Sequence, residues 1–488
     1  MCAAAKQEAY LGVDVGTSAL KGVVLGRNGS VLDVFRETTP VYRDDGVDCI
    51  SIRDLDERVD RMVHGARSRY RLVGMAAASV GESVVPVKEG KPLCDPIMWY
   101  DTATYPMERR ILPEHPDLFS YRRVGIPSSY TMGVYKMLWL KERLGLEAVD
   151  AWLPISSYVS YRYTGTPMWD YSQGCRTLLL DIHERRWNAE ALDRLGLDGE
   201  VPSLDYMGSE VGSDQQGTAH YLGGHDHITG LFGIYQLFGK SPIIYESLGT
   251  ASTTIVVADE EADEFHMDAP FTEPSGIIGV GFGPKHYFLQ NAFRYTGGLL
   301  NAVGGWFTAD PNPEFFDRVN SEIEGREPDD NVLFFAGGDP VTGEEKSRVS
   351  MLNLPMPFEA APVVQAAYFY LASIKLRTVN ALEAVTGETP RFIAGGGLTR
   401  NRLFMQYLAN VLDRPVEIAD IGELTGLGAG IAAAVGAGDT DTVASAQKAL
   451  EVTTIEPDSL QGVFRARAER MLERYESLRK AGFVEYLV

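Results

Sequence analysis

The stretch YLGVDVGTSALKGVVL, residues 10–25, decides the fold. Tyr10–Val15 reads as a buried strand, Gly16-Thr17-Ser18 as a turn, and Lys21–Leu25 as a second apolar run. Gly29 leads into a further short strand, Val31–Phe35, so the chain opens as a hairpin meander. Residues 54–70 place Leu55, Val59 and Met62/Val63 on one helical face, and Leu72–Ser79 is a strand rich in Ala and Val. Strands alternating with helices predict an α/β layer fold. The pattern then restarts. Pro242–Glu246 is apolar, Leu248-Gly249-Thr250-Ala251-Ser252 is a turn, and Thr253–Val257 is a β-branched strand. Gly16 and Gly249 are 233 residues apart, close to half the chain, which predicts an internal duplication with a boundary near residue 240. In the second half, Val363 to about Val385 is a long helical pattern. Arg391–Ala394 is a strand before Gly395-Gly396-Gly397, and Asn401–Val411, Leu424–Gly436 and 463–480 are helical. The Ala and Gly of 424–436 predict close helix packing, and 463–480 a closing helix on the second half.

The motifs define what these turns offer chemically. Asp14 ends a strand and Gly16-Thr17-Ser18 follows it; the turn supplies backbone N–H groups and two hydroxyls to phosphate oxygens, and the carboxylate suits Mg²⁺ held through waters. An ordinary tight hairpin fits the same residues. The echo at Gly249–Ser252 strengthens the phosphate reading, because two such hairpins facing each other would grip a triphosphate. Ile393-Ala-Gly-Gly-Gly397 lets a ligand approach the backbone at a strand-to-helix turn, and a structural turn serves equally. It lacks the G-x-G-x-x-G spacing, and Gly239-Lys240-Ser241 is no P-loop, because Ile234 stands where the first glycine belongs. In Gly223-Gly224-His225-Asp226-His227, flexible glycines present a carboxylate as a general base to a cleft; a helix N-cap before Ile228–Leu237 is the alternative role for Asp226. His-x-His finds no third ligand nearby, which argues against zinc. Gly81-Glu82-Ser83 and Trp99-Tyr100-Asp101 suit a sugar site, the aromatic packing on C–H faces and the carboxylates accepting hydroxyl hydrogen bonds; a core role for the lone Trp is the alternative.

Composition narrows the field. With 45 Lys/Arg against 67 Asp/Glu, the 488-residue chain carries a formal charge of −22, which excludes a general nucleic-acid binder. Cys2, Cys49, Cys94 and Cys175 form no C-x-x-C pair. The opening MCAAAKQEAY lacks a signal pattern, and no uncharged stretch exceeds 15 residues, so no membrane partner and a cytoplasmic location are expected.

Taken in order, these pieces resemble the FGGY carbohydrate kinase family, which includes xylulokinases, gluconokinases and glycerol kinases. LGVDVGTSALKGVVL resembles its first phosphate motif, MWYDTAT its W-x-D-x-R sugar segment, and DYSQGCRTLLLDIHERRWN its central signature. GGHDHITG resembles the segment with the catalytic aspartate, ESLGTAST the second phosphate motif, and IAGGGLTRNRLFMQYLANVLDRPVEI the adenosine motif. The likeness is collinear from about residue 10 to 470. It implies two actin-like, ribonuclease H-like α/β domains flanking a catalytic cleft, residues 10–241 and 242–480. Further, it implies ATP and Mg²⁺ as cofactors, a small sugar or polyol as substrate, and a homodimer as the oligomer to consider. By the resemblance, Asp226 is the general base, Asp14 helps hold Mg²⁺, and Thr17, Ser18, Gly249 and Thr250 contact phosphates. Gly396, Gly397 and Asn401 lie by the adenosine, Gly298 and Asn301 line the nucleotide site, and Glu82, Trp99, Asp101 and His227 form the sugar site.

The departures fall on the sugar side. Many xylulokinases have G-Q-M-H-G where this chain has Val80-Gly81-Glu82-Ser83, closer to glycerol kinase. Ala103 replaces the arginine of W-x-D-x-R, Gly343-Glu344-Glu345-Lys346 replaces G-E-R-x-P, and His227 replaces the usual Asn or Gln. The expected activity is ATP-dependent phosphorylation of a small sugar or polyol, with a ketopentose such as xylulose among the candidates. The competing expectations are an actin-like nucleotide-binding regulator and an ATPase without sugar turnover.

Overall fold

A computed structural model describes residues 6–146, 149–239, 242–259, 276–293, 296–337, 348–353, 358–386, 389–419 and 421–481. Cys2, Lys240, Ser241, Tyr295 and the Gly343–Lys346 departure lie outside the described residues. The chain divides into two units. The first comprises residues 1–240, 277–288 and 423–450, and the second 241–276, 289–422 and 451–488. Residues 277–288 and 423–450, which fall in the second half of the sequence, thus group with the first unit.

In the first unit the opening segment forms the predicted meander. Strand Glu8–Val15 pairs antiparallel with Ala19–Gly26, which pairs antiparallel with Val31–Thr38. On its other side Glu8–Val15 pairs parallel with Arg71–Ser79, which pairs parallel with Ala219–His225; Glu210–Ser213 closes the edge antiparallel. The helix Ile52–Arg69 buries Leu55, Val59, Met62 and Val63, the predicted face. It starts two residues earlier than the apolar spacing indicates, because the Ser51 hydroxyl accepts from the Asp54 amide at 3.3 Å and caps it.

Close packing of the helix Leu424–Gly436 is realised through glycine. A Cβ on Gly12 would lie 1.9 Å from the Gly426 carbonyl oxygen, and one on Gly428 would lie 2.2 Å from the Thr229 carbonyl oxygen. Backbone therefore meets backbone, both at the opening strand and at the helix Asp226–Leu237. Beyond this helix, Asp439 accepts from Tyr10 Oη and Arg27 Nε, each at 2.9 Å, and caps Thr440–Ala449.

The second unit repeats the arrangement. Ile243–Leu248 pairs antiparallel with Ser252–Asp259 and parallel with Arg391–Gly395. Arg391–Gly395 pairs parallel with Val416–Ala419, and Val452–Ile455 closes the edge antiparallel. Strand for strand, five positions match the first sheet in order and direction, so the duplication read from two turns extends through both sheets. The closing helix Gln461–Lys480 packs on Arg402–Leu412 and Ala360–Thr386, with the Phe464 ring 4.8 Å from that of Tyr407 and 6.2 Å from that of Phe369. The protein is a mixed α/β fold.

Candidate active site

In the first unit, three adjacent parallel strands end at the site. Asp14 lies at the end of the first, Glu82 just past the second, and Asp226 just past the third. This is where a parallel sheet presents residues to a ligand. Asp14 is buried, and its Oδ1 has no hydrogen-bond partner. Burial first, and then the charge of Asp226, push its carboxyl up to about 7, with Lys21 opposing. Lys21 Nζ lies 3.6 Å from Asp14 Oδ2 and 3.1 Å from Glu423 Oε2. Thr17 and Ser18 stand exposed at the turn.

The raised pKa carries a sign. A carboxyl that binds its proton more tightly when folded favours the fold at low pH, and this contribution is lost as pH rises from about 4 to about 7. Asp14→Asn should therefore gain thermal stability over wild type as pH goes from 5 to 8. A melting-temperature difference that is flat across that range would show that Asp14 titrates normally.

Asp226 opens the helix Asp226–Leu237, where the partial positive charge of the helix start favours a carboxylate, and its Oδ1 accepts the His227 amide at 2.7 Å. The strand before it has a register shift between Leu222 and His225, a bulge at Gly223-Gly224 that re-aims the chain. These glycines answer to crowding rather than flexibility. A Cβ on Gly223 would lie 2.0 Å from the Ala77 carbonyl oxygen, and one on Gly224 would lie 2.5 Å from Ser172 Oγ and 2.7 Å from Asp170 Oδ2. Ser172 Oγ donates to Asp170 and accepts the His225 amide at 2.9 Å, so residues 170–172 brace the backbone just before Asp226. His225 Nδ1 lies 3.1 Å from Asp226 Oδ1, without the alignment of a hydrogen bond. Burial holds this imidazole well below its ordinary pKa, so it is neutral at pH 7. His227 Nε2 lies 3.8 Å from the same carboxylate oxygen.

Of the four residues expected on the sugar side, Glu82 and His227 lie near this carboxylate. Glu82 has φ +60°, a left-handed backbone that costs a non-glycine residue energy, and the Ser83 amide donates to the Gly81 carbonyl at 2.7 Å across it. Burial raises the Glu82 pKa, against Arg176, whose Nη1 lies 3.7 Å away, and against Lys136. Trp99 Nε1 donates to Thr17 Oγ1 at 3.0 Å, joining the Trp99–Asp101 segment to the Gly16–Ser18 turn. Asp101 is nearly buried, and its two oxygens accept the amides of Asp48 and Ala103, each at 2.8 Å. Its carboxylate thus holds the loop that carries Trp99.

Arg176, Lys136 and Glu423 were not singled out from sequence. Lys136 is buried; its Nζ donates to the Trp99 carbonyl at 3.3 Å and to the Thr131 carbonyl, and burial pushes its pKa down to about 8. The available signal was one lysine inside the apolar run GVYKMLWL. Glu423 reaches Lys21 and Arg36 through tertiary packing alone.

In the second unit the exposed turn Gly249–Ala251 is held by the start of the helix Gly297–Gly304. Gly297 N donates to the Gly249 carbonyl at 3.0 Å, and Gly298 N to the Thr250 carbonyl at 3.0 Å. Asn301 lies exposed on that helix. Gly396 has φ +102°, and a Cβ there would meet the Leu248 carbonyl oxygen at 2.4 Å, so glycine is required beside the turn. A Cβ on Gly397 would meet nothing within 4 Å, which leaves its surface open. Asn401 caps Arg402–Leu412 through the Phe404 amide at 3.1 Å, and its Nδ2 donates to Tyr368 Oη at 2.6 Å. Its side chain is thus engaged in holding the helix start. Among the described residues, no group of three or more His, Cys, Asp or Glu could hold a metal ion, and no helix is long and apolar enough to cross a membrane.

A doubled strand–turn–strand unit at the centre of two matching sheets is the arrangement of the actin-like α/β fold. The sequence pattern of the FGGY family of carbohydrate kinases, N-terminal domain, matches residues 9–230, and that of the C-terminal domain matches residues 244–437. The chain belongs to the FGGY family and is an ATP-dependent carbohydrate kinase. It is 22% identical to a xylulose kinase of Staphylococcus epidermidis, covering 91% of each chain. It is also 22% identical to a glycerol kinase of Enterococcus casseliflavus, covering 89% of each. Among solved structures, a xylulose kinase from Rhodospirillum rubrum superposes with a TM-score of 0.84 at 18% identity, covering 97% of this chain and 99% of that one. A gluconate kinase from Lactobacillus acidophilus does so with a TM-score of 0.82 at 18% identity, covering 99% of each. These likenesses support the expected fold and kinase class and set aside the regulator reading.

Proposed function

We propose that the protein transfers the γ-phosphoryl group of ATP to a hydroxyl of a small sugar or polyol, with Asp226 as general base. The observation that carries this is the meeting of Asp226, Asp14 and Glu82 at the ends of three parallel strands, beside the Trp99–Thr17 hydrogen bond. Asp226 takes the hydroxyl proton, the freed oxygen forms a bond to the γ-phosphorus, and the bond to the β-phosphate oxygen breaks, releasing ADP. Positioning and charge stabilisation supply most of the rate in such transfers. Thr17 and Ser18 offer hydroxyl donors to phosphate oxygens at the exposed turn of the first unit, and Thr250 offers one at the matching turn of the second, a turn that Gly249 and Gly298 shape through their amides. Gly396 and Gly397 offer an open backbone to the nucleoside.

Mg²⁺ fits the residues present. The orphaned, buried Oδ1 of Asp14 is an oxygen seeking a cation or a proton. When bound, Mg²⁺ would neutralise charge on the ATP phosphates, and Asp14 would hold it, directly or through water. Glu82, Trp99 and His227 would recognise the sugar, with Asp101 fixing the loop beneath Trp99. A ketopentose such as xylulose and a polyol such as glycerol are the first candidates, following the names of the two curated relatives.

The test is ADP release with Mg²⁺-ATP across ketoses, polyols, sugar acids and deoxysugars. Stimulation by one class, at least about tenfold over the sugar-free rate, is the expected result. Equal ADP release with and without every compound would overturn the assignment of a sugar acceptor.

A further inference from the structure

Beneath the Gly249–Ala251 turn lies a buried polar network. Glu246, Ser252, Thr254, Thr296 and Lys375 all belong to the second unit, and all are almost wholly buried. Lys375 comes from the middle of the helix Ala360–Thr386. Its Nζ lies 2.8 Å from Glu246 Oε1, donates to Ser252 Oγ at 2.8 Å, and donates to Thr254 Oγ1 at 3.2 Å. Thr254 faces Glu246 across the hairpin and donates to its other oxygen. Thr296 Oγ1 bonds Ser252 Oγ at 2.7 Å, and the Thr296 amide donates to the Thr250 carbonyl at 3.1 Å. A continuous chain of hydrogen bonds thus runs from Lys375, through Ser252 and Thr296, to the turn and to the helix start that holds it.

A buried ion pair is a poor source of stability, because an apolar pair of similar volume does as well or better. What an ammonium adds is three donors at one point, able to hold both strands of a hairpin at once. We propose that Lys375 is a positioning residue for nucleotide binding. It fixes Ser252 and Thr296 so that the Gly249–Ala251 turn and the amides beside it keep the shape that receives the ATP phosphates. The proposal rests on reading that turn as a phosphate site.

Lys375→Met alone leaves Glu246 buried without its partner and invites misfolding. The double variant Lys375→Met/Glu246→Gln removes both charges together. Ser252→Ala cuts the link to Thr296 without changing charge. Thr250→Ala tests the turn itself. For each, the KM for ATP, the KM for the accepted sugar and the melting temperature are measured. Expected are a rise of about tenfold in the KM for ATP in the double variant and in Ser252→Ala, a sugar KM within twofold of wild type, and melting temperatures near wild type. If Thr250→Ala leaves the KM for ATP unchanged, the phosphate reading of the turn fails. If Thr250→Ala raises it while both the double variant and Ser252→Ala keep the wild-type value, the role of Lys375 is overturned and the phosphate reading stands. Should the double variant not fold, Ser252→Ala decides alone.

Discussion

Asp226→Asn should lower kcat by about 10²–10⁴-fold, while the KM values for ATP and sugar change little. Asparagine matches aspartate in size and can still accept the His227 amide, as Asp226 Oδ1 does at 2.7 Å, so the helix start is preserved. What it loses is the capacity to take a proton. The neighbours narrow the substitutes. His225 is buried and carries a pKa too low to be charged at pH 7, and Glu82 is already paired with Arg176. Asp14 is the remaining carboxylate whose charge is coupled to Asp226, and it sits by the Gly16–Ser18 turn, where we propose that it holds Mg²⁺. A mutant with near wild-type kcat would therefore remove Asp226 from the chemistry rather than shift its role next door. Steady-state kinetics at saturating ATP and sugar make the measurement.

Gly223→Ala should be among the most damaging single methyl groups in the first unit. The new Cβ would lie 2.0 Å from a main-chain carbonyl oxygen, that of Ala77, and no rotamer relieves a backbone clash. Overpacking commonly costs about 1–3 kcal/mol, and this contact belongs at the upper end or beyond. A fall of roughly 6–12 °C in melting temperature follows for a unit of this size. Gly224→Ala makes an instructive partner, because its Cβ would meet side chains, Ser172 and Asp170, which can move. Their displacement frees the His225 amide and disturbs the support of Asp226, so activity should fall further than stability. Thermal melts paired with kcat for the two variants separate the cases. If Gly223→Ala melts like wild type, the bulge does not require glycine.

Much of this was legible because the sequence repeats itself. The Gly16-Thr17-Ser18 and Gly249–Ser252 turns marked two hairpins, and each hairpin lies within a sheet whose strands match the other's at five positions in order and direction. Helical periodicity found Leu424–Gly436 with both ends correct, since an uninterrupted Ala/Gly run has few alternatives. What it could not give was the partner. Those glycines pack on Gly12, more than 400 residues away in sequence, and periodicity carries no information about distance across the fold.

The site was legible where a motif sat on a turn and less so where function depends on burial. Asp226 and Glu82 lie just past the ends of adjacent parallel strands, and Trp99 bonds Thr17. Asp101 and Asn401 lie in their motifs as well, yet their side chains cap and tie neighbouring backbone. Of the amides they hold, those of Ala103 and Phe404 are local, and that of Asp48 comes from a tertiary neighbour that sequence spacing does not reveal. Lys136 and Lys375 passed unnoticed for the opposite reason, because a lysine in an apolar helix reads as a solvated face until a buried carboxylate is found beside it. Gly223 and Gly224 were found for their flexibility and matter for their lack of volume.

The most direct test of the central claim is the stoichiometry of products formed with the sugar or polyol that stimulates turnover. Phosphorylated sugar and ADP are quantified together, with Mg²⁺-ATP in excess. Transfer to the acceptor hydroxyl predicts one phosphorylated sugar per ADP. ADP accompanied by free phosphate, with no phosphorylated sugar, would contradict it and make the protein an ATPase.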